Sequence, residues 1–319
     1  MSVAFIFPGQ GSQAVGMLTS LAQRPEVARL LATADEVLGE PISRLIAEGP
    51  AEELALTTNT QPAMLLAGLA CLAAWRSAGG FEPDFVAGHS LGEYTALAAA
   101  DAIDADAALS LVRLRAGAMQ QAVPVGVGAM AAILGLSDEQ VAKACAQGRE
   151  GPGNVREVVD PANFNAPSQV VIAGHKGAVD RACAAAKALG AKRAVLLPVS
   201  APFHSPLLAP AGAQLQQALA EIRLRPPRVP LVNNIDVAVE TEPARIKDAL
   251  VRQAYGPVRW VEVVQALSSR GVYHFIEFGP GKVLSGLVKR IAPGARIDAV
   301  HDVASLEQTL GQALELRRL

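Results

Sequence analysis

"DFVAGHSLGEYTALAAA", Asp84 to Ala100, sets a short apolar run against a serine between two glycines, followed by an alanine-rich helical pattern. An apolar run that breaks abruptly into a helix is the joint of a parallel α/β sheet, where a buried strand meets its crossover helix at a tight corner. Such a corner can thrust a serine outward, because small flanking residues let neighbouring backbone approach. GHSLG can equally be a plain turn, so Ser90 stands here as either a nucleophile or a turn residue.

The same rhythm recurs outward from this stretch. Val3 to Phe7, Phe85 to Ala87, Val229 to Val232 and His274 to Phe278 read as strands, each followed by Gly/Pro punctuation. Long helical stretches lie between them, including Asp104 to Ala122, which opens with an acidic turn and carries Arg113 and Arg115 in its second half. The middle of the chain differs. "GAMAAILGL" reads as a strand and "SDEQVAKACAQ" as a helix opened by a capping box at Ser137 and Gln140. "VREVVDPANF" and "QVVIAGH" follow as strands, "KGAVDRACAAAKALG" as a helix and "KRAVLLPV" as a strand. That βαββαβ order is the split arrangement of a ferredoxin-like domain, and it predicts a small domain from about Gly126 to Val199 inserted into a larger one. "AQGREGPGN", Ala146 to Asn154, reads as an exposed loop.

Bulk composition narrows the function. Hydrophobic residues make up 51% of the 319 and charged residues 18%, the profile of a packed globule rather than a disordered chain. A net charge of −2 with scattered Lys and Arg offers no basic field for nucleic acid or an anionic membrane, so neither is expected as a partner. Cys71, Cys145 and Cys183 are far apart with no CxxC, which fits a reducing cytoplasm. The opening "MSVAFIFPGQGSQ" has no basic n-region and breaks at Pro8, so it reads as a first strand rather than a signal peptide. "PAMLLAGLACLAAW", Pro62 to Trp75, falls short of the ~20 residues that span a bilayer and reads as a buried helix.

If Ser90 is a nucleophile it sits at a helix N-terminus, where the N–H of Leu91 is a natural oxyanion donor. It also needs a base, and the chain has five histidines. His89 adjoins the serine and points elsewhere on the corner, and His274 lies inside a strand as a core histidine. His204, in "LLPVSAPFHSPLL", follows a strand in a proline-bracketed loop, a setting shared by presented catalytic groups and by ordinary surface histidines.

Seven motifs stand together in one order: "FPGQGSQ", "GHSLGEY", "MQQAVPVGVGAMAAILGL", "NFNAPSQVVIAGH", "PFHSPLL", "VRQAYGPVRW" and "EFGPGKVLSGLVKRI". Through them the chain resembles, nearly end to end, the malonyl-CoA:acyl carrier protein transacylases of bacterial fatty acid synthesis. The resemblance implies an α/β-hydrolase-like core with a parallel sheet, formed by residues 1–125 and 200–319. It implies an inserted ferredoxin-like small domain over 126–199.

It further implies that Ser90 is malonylated by malonyl-CoA, that His204 is the general base, and that an uncharged oxygen of Gln253 orients the imidazole. The backbone N–H groups of Gln10 and Leu91 become the oxyanion hole. Arg115 becomes the cation for the malonyl carboxylate, a role its planar guanidinium suits by pairing two N–H groups with two oxygens. Arg113, two residues away on another face, serves as an internal control. Phe203 resembles the residue that accompanies malonyl over methylmalonyl selection in related polyketide acyltransferases. Asn163, Asn165 and Gln169 read as loop residues of the small domain lining the pantetheine cleft.

No permanent cofactor and no metal are expected, since phosphopantetheine arrives on the acyl carrier protein, and the family suggests a cytoplasmic monomer. Three rivals share parts of this pattern. They are a serine esterase or thioesterase, a stand-alone acyltransferase of a polyketide synthase or malonate decarboxylase, and a non-catalytic docking module.

Overall fold

The apolar run after Met1 forms a strand whose two faces are both covered, as a central parallel strand requires. A computed structural model describes residues 2–316 of the chain. The described strands are β1 (Ser2–Phe7), β2 (Phe85–Gly88), β3 (Gly128–Leu134), β4 (Val159–Ala166), β5 (Gln169–His175), β6 (Arg193–Leu196), β7 (Leu231–Val232), β8 (Val239–Glu240), β9 (Val272–Phe278) and β10 (Arg296–Val300). They form two sheets. The larger runs β10-β9-β1-β2-β7-β8, parallel throughout except for the edge hairpin of β7 and β8. The smaller runs β4-β5-β3-β6 and is antiparallel, with its first and third strands side by side at the centre, as a split βαβ unit demands.

Helices lie between the strands of the large sheet. The helix Thr57–Ser77 contains the predicted apolar tract and is buried along most of its length. Its Trp75 sits in an aromatic cluster with Phe5, Phe81 and Phe278, which ties this helix to β1 and β9. Among the described residues no helix is long and apolar enough to cross a membrane. The three cysteines are buried and unpaired, one on each of three helices.

The small sheet packs helices Asp138–Gly148 and Lys176–Ala188 against itself over a separate core that includes Ile133, Val141, Ile172 and Val179. The capping box at Ser137 and Gln140 is present with both reciprocal bonds. Several boundaries differ from the sequence reading. β7 holds only Leu231–Val232, because Pro230 precedes it and supplies no N–H to the ladder. β4 starts at Val159 rather than Val155. Asn163 and Asn165 stand in β4 and Gln169 opens β5, so "NFNAPSQ" is a tight hairpin rather than a loop, closed through Ser168 at φ 60°. The stretch 146–154 is helical as far as Gly148.

Candidate active site

β1 and β2 are parallel neighbours, so their C-terminal ends open side by side, where α/β sheets place their ligands. The chain leaves β1 through Pro8 toward Gln10 and leaves β2 through His89 and Ser90 into the helix Gly92–Ala99. Two glycines are obligatory at this corner. A Cβ on Gly88 would lie 1.9 Å from the backbone of Gly92, and one on Gly92 would lie 2.0 Å from the carbonyl oxygen of Phe7. The turn is tight enough to force Ser90 into the left-handed region at φ 53°. That conformation costs a non-glycine residue about 1–3 kcal/mol and must be held from outside.

Asn234, just past β7, holds it. Its Oδ1 accepts from Ser90 N at 2.7 Å and its Nδ2 donates to Gly88 O at 2.7 Å, clamping both arms of the corner. Ser90 Oγ then lies 2.6 Å from His204 Nε2. His204 is itself left-handed at φ 60°, and its Nδ1 faces two backbone carbonyls, Gln253 O at 2.9 Å and Gly256 O at 3.2 Å. Both are acceptors, so Nδ1 carries the hydrogen and Nε2 is free to accept the serine proton. Burial first, then the Arg115 charge, push the imidazole pKa down to about 3, so the ring is a neutral base at physiological pH.

Arg115 is only 2% exposed although it stands in mid-helix, within Ala105–Gln121. Its Nη2 reaches Ser90 Oγ at 3.2 Å and Gln253 Oε1 at 3.1 Å, and its Nη1 reaches Gln61 Oε1 at 2.7 Å. The guanidinium lies 5.3 Å from the centre of the Tyr94 ring, its Nε has no hydrogen-bond partner, and it forms no ion pair among the described residues. A buried cation with no anion in direct contact is a site prepared for one. Arg113 is turned the other way, donating to Thr58 O at 2.8 Å and pairing with Glu40.

Gln253, on the helix Pro243–Tyr255, is 0% exposed. Besides lending its carbonyl to His204, it donates through Nε2 to Ser90 O at 3.1 Å and to Glu93 Oε2 at 2.9 Å. Among the described residues the N–H groups of Leu91 and Gln10 have no acceptor within the chain. The Gln10 side chain reaches Thr57 Oγ1 at 3.4 Å. Phe203 is buried beside His204 in the sequence and belongs to the main core. Asn165 Oδ1 meets His89 Nε2 at 2.8 Å, linking the small sheet to the serine corner. Asn163 is buried and bridges Val258, whereas Gln169 is drawn off to Arg290.

Four contributors escape a reading from sequence: Asn234, Gln61, Tyr94 and Glu93. Asn234 alone left a trace, since it follows a strand of the parallel sheet where site residues gather. None of the aspartates between Ser90 and His204 reaches the imidazole, whose Nδ1 partners are both carbonyls. Among the described residues no trio of His, Cys, Asp or Glu is grouped to hold a metal ion.

Residues 4–304 match the family described as acyl transferase domain. The chain is 51% identical over 310 residues to the malonyl CoA-acyl carrier protein transacylase of Salmonella typhimurium, covering 97% of this chain and 99% of that protein. It superposes on the crystal structure of an acyl-carrier-protein S-malonyltransferase from Burkholderia pseudomallei with a TM-score of 0.95 at 58% identity, over 98% of this chain and 100% of that one. A malonyl-transacylase solved in complex with a type II polyketide acyl carrier protein is 48% identical, with a TM-score of 0.94, covering 98% of this chain and 100% of that one.

Proposed function

Because the chain belongs to the acyl transferase domain family, we propose that its serine corner is the way station of a two-step acyl exchange. The enzyme transfers the malonyl group from malonyl-CoA to acyl carrier protein, supplying fatty acid synthesis. One observation carries the site assignment: Ser90 Oγ lies within hydrogen-bond distance of both a base, His204, and a buried cation that has no direct ion-pair partner among the described residues, Arg115.

In the first step His204 Nε2 takes the Ser90 proton as Oγ adds to the thioester carbonyl. The oxyanion is received by the N–H groups of Leu91 and Gln10. Collapse expels the coenzyme A thiolate, which takes the proton from His204 and leaves a malonyl ester on Ser90. In the second step the imidazole takes the proton of the phosphopantetheine thiol, the thiolate attacks the ester, and the Ser90 oxygen leaves and is reprotonated. Arg115 holds the malonyl carboxylate throughout. Its charge is also one cause of the depressed His204 pKa, so neutralising it with the substrate's carboxylate makes the imidazole a better base. An acetyl group cannot do this.

Phe203 fills the space that a branched acyl group needs beside the base, and Asn163 and Asn165 border the path of the pantetheine arm. The same reading takes residues 126–199 as an inserted small domain that caps the unit formed by 1–125 and 200–319. It takes the protein as a cytoplasmic monomer with no resident cofactor.

The decisive experiment is intact mass spectrometry after mixing the protein with malonyl-CoA alone. A stable malonyl adduct mapping to Ser90, and absent in Ser90→Ala, is expected. Free malonate without an adduct would indicate a hydrolase instead.

A further inference from the structure

The helix that Ser90 opens carries Glu93 on its first turn, and that side chain is 1% exposed. A buried carboxylate needs donors, and it has two: Gln253 Nε2 and Asn234 N each donate to Oε2 at 2.9 Å. Both donors already hold the catalytic groups. Asn234 clamps Ser90, and Gln253 presents its carbonyl to His204 and its Oε1 to Arg115. The Gln253 amide therefore stands end-on between a cation and an anion, its oxygen accepting from the guanidinium and its nitrogen donating to the carboxylate. Flipping that amide would set like poles together at both ends.

We propose that Glu93 is a positioning residue for the acyl exchange, the resident counter-charge of Arg115 acting through the Gln253 amide, and that it sets how tightly the guanidinium holds a malonyl carboxylate. The inference rests on Arg115 being the carboxylate clamp. Held one amide away, Glu93 leaves the guanidinium open to the substrate yet shares its field. A clamp with no competing anion would keep the acyl group on Ser90, whereas a way station must pass it on.

Burial pushes the Glu93 carboxyl up to about 7, so its charge can be removed by pH as well as by mutation. The other groups facing it keep one state from pH 6 to 8.5. Burial pushes Tyr94 up to about 12 and His204 down to about 3. Burial also lowers His89, and Arg252 holds Asp236 below the ordinary carboxylate range. Burial lowers Arg115 as well, but a guanidinium starts from so high a value that it keeps its charge over this range.

The test is calorimetric titration of malonyl-CoA and acetyl-CoA into Ser90→Ala protein, which binds without turnover, with Glu93 intact or as Glu93→Gln. The ratio of the two affinities cancels effects of pH on the coenzyme itself. With Glu93 intact, the malonyl preference is expected to rise about three- to tenfold as pH falls from 8.5 to 6. Glu93→Gln is expected to show the higher preference at every pH. A preference that does not change with pH in the Glu93 protein, or a Glu93→Gln protein that weakens both ligands alike, overturns the inference alone. A Glu93 protein that never distinguishes malonyl-CoA from acetyl-CoA overturns it together with the clamp.

Discussion

At Arg115 the chemistry of the substrate can be tested against the chemistry of a hydrolase. An ester-cleaving serine needs a base and an oxyanion hole but no buried guanidinium against its hydroxyl, and here Nη2 lies 3.2 Å from Ser90 Oγ. Removing the guanidinium leaves a malonyl carboxylate buried without a partner. Arg115→Ala is therefore expected to lower kcat/KM for malonyl-CoA by about 2–5 kcal/mol in transition-state terms. Acetyl transfer, which needs no such partner, should fall less. Steady-state kinetics with the two thioesters measure both, and an equal loss for both would remove Arg115 from its proposed role. Ser90 and His204 were legible in the sequence because each lies in a short motif whose neighbours give it meaning, and Arg115, in mid-helix outside those motifs, was legible only through the family resemblance. Glu93 and Asn234 were not, although Glu93 is three residues from the nucleophile. Their roles come from bonds that span 141 and 146 positions, and no local pattern encodes such pairs.

At the scale of elements, two helices divide the work of two arginines on one of them. Pro62 lies inside the helix Thr57–Ser77 and has no N–H to offer, so the carbonyl four residues back, Thr58 O, loses its helical donor. Arg113 Nη1 supplies the replacement at 2.8 Å, pinning Ala105–Gln121 against the proline-containing helix and fixing the angle at which Arg115 enters the site. Arg113→Ala should thus cost about 1 kcal/mol of stability by denaturant unfolding, because a part-buried carbonyl loses its donor. Its malonyl-to-acetyl preference should match that of the unaltered protein, and a lost preference would show that Arg113 shares the clamp. Long elements such as these were legible from period and apolar content. β8 and β10 were not: the first has two residues, and the second, "RIDAV", mixes charge into a strand whose Asp298 is satisfied by His274 and Arg296.

Across the whole molecule, the site joins segments from both sides of the small sheet, with Gln10, Ser90 and Arg115 before it and His204, Asn234 and Gln253 after it. The chain must close around the residues between, and Asn165 on the small sheet is tied back to His89. The βαββαβ order was readable from the sequence, whereas the tight β4–β5 hairpin and the seating of this sheet on the serine corner depend on pairings and single contacts that local pattern does not show. At the centre of the assembly the fold keeps a carboxylate that burial disfavours. Glu93 has its pKa raised from 4.5 to about 7. A raised pKa means that the folded state binds the proton more tightly than the unfolded chain. Its contribution to stability is complete below about pH 4.5 and is lost as pH rises through about 7, reaching on the order of 3 kcal/mol above pH 8. Glu93→Gln has no proton to lose. Chemical denaturation is therefore expected to find the variant close to the unaltered protein at pH 5 and more stable than it at pH 8.5. The same substitution is expected to hold malonyl-CoA more tightly at that pH, so the stability sacrificed at Glu93 is what lets the serine release its cargo. A variant less stable at both pH values would mean that the carboxylate serves the fold instead, through its bonds to Asn234 and Gln253.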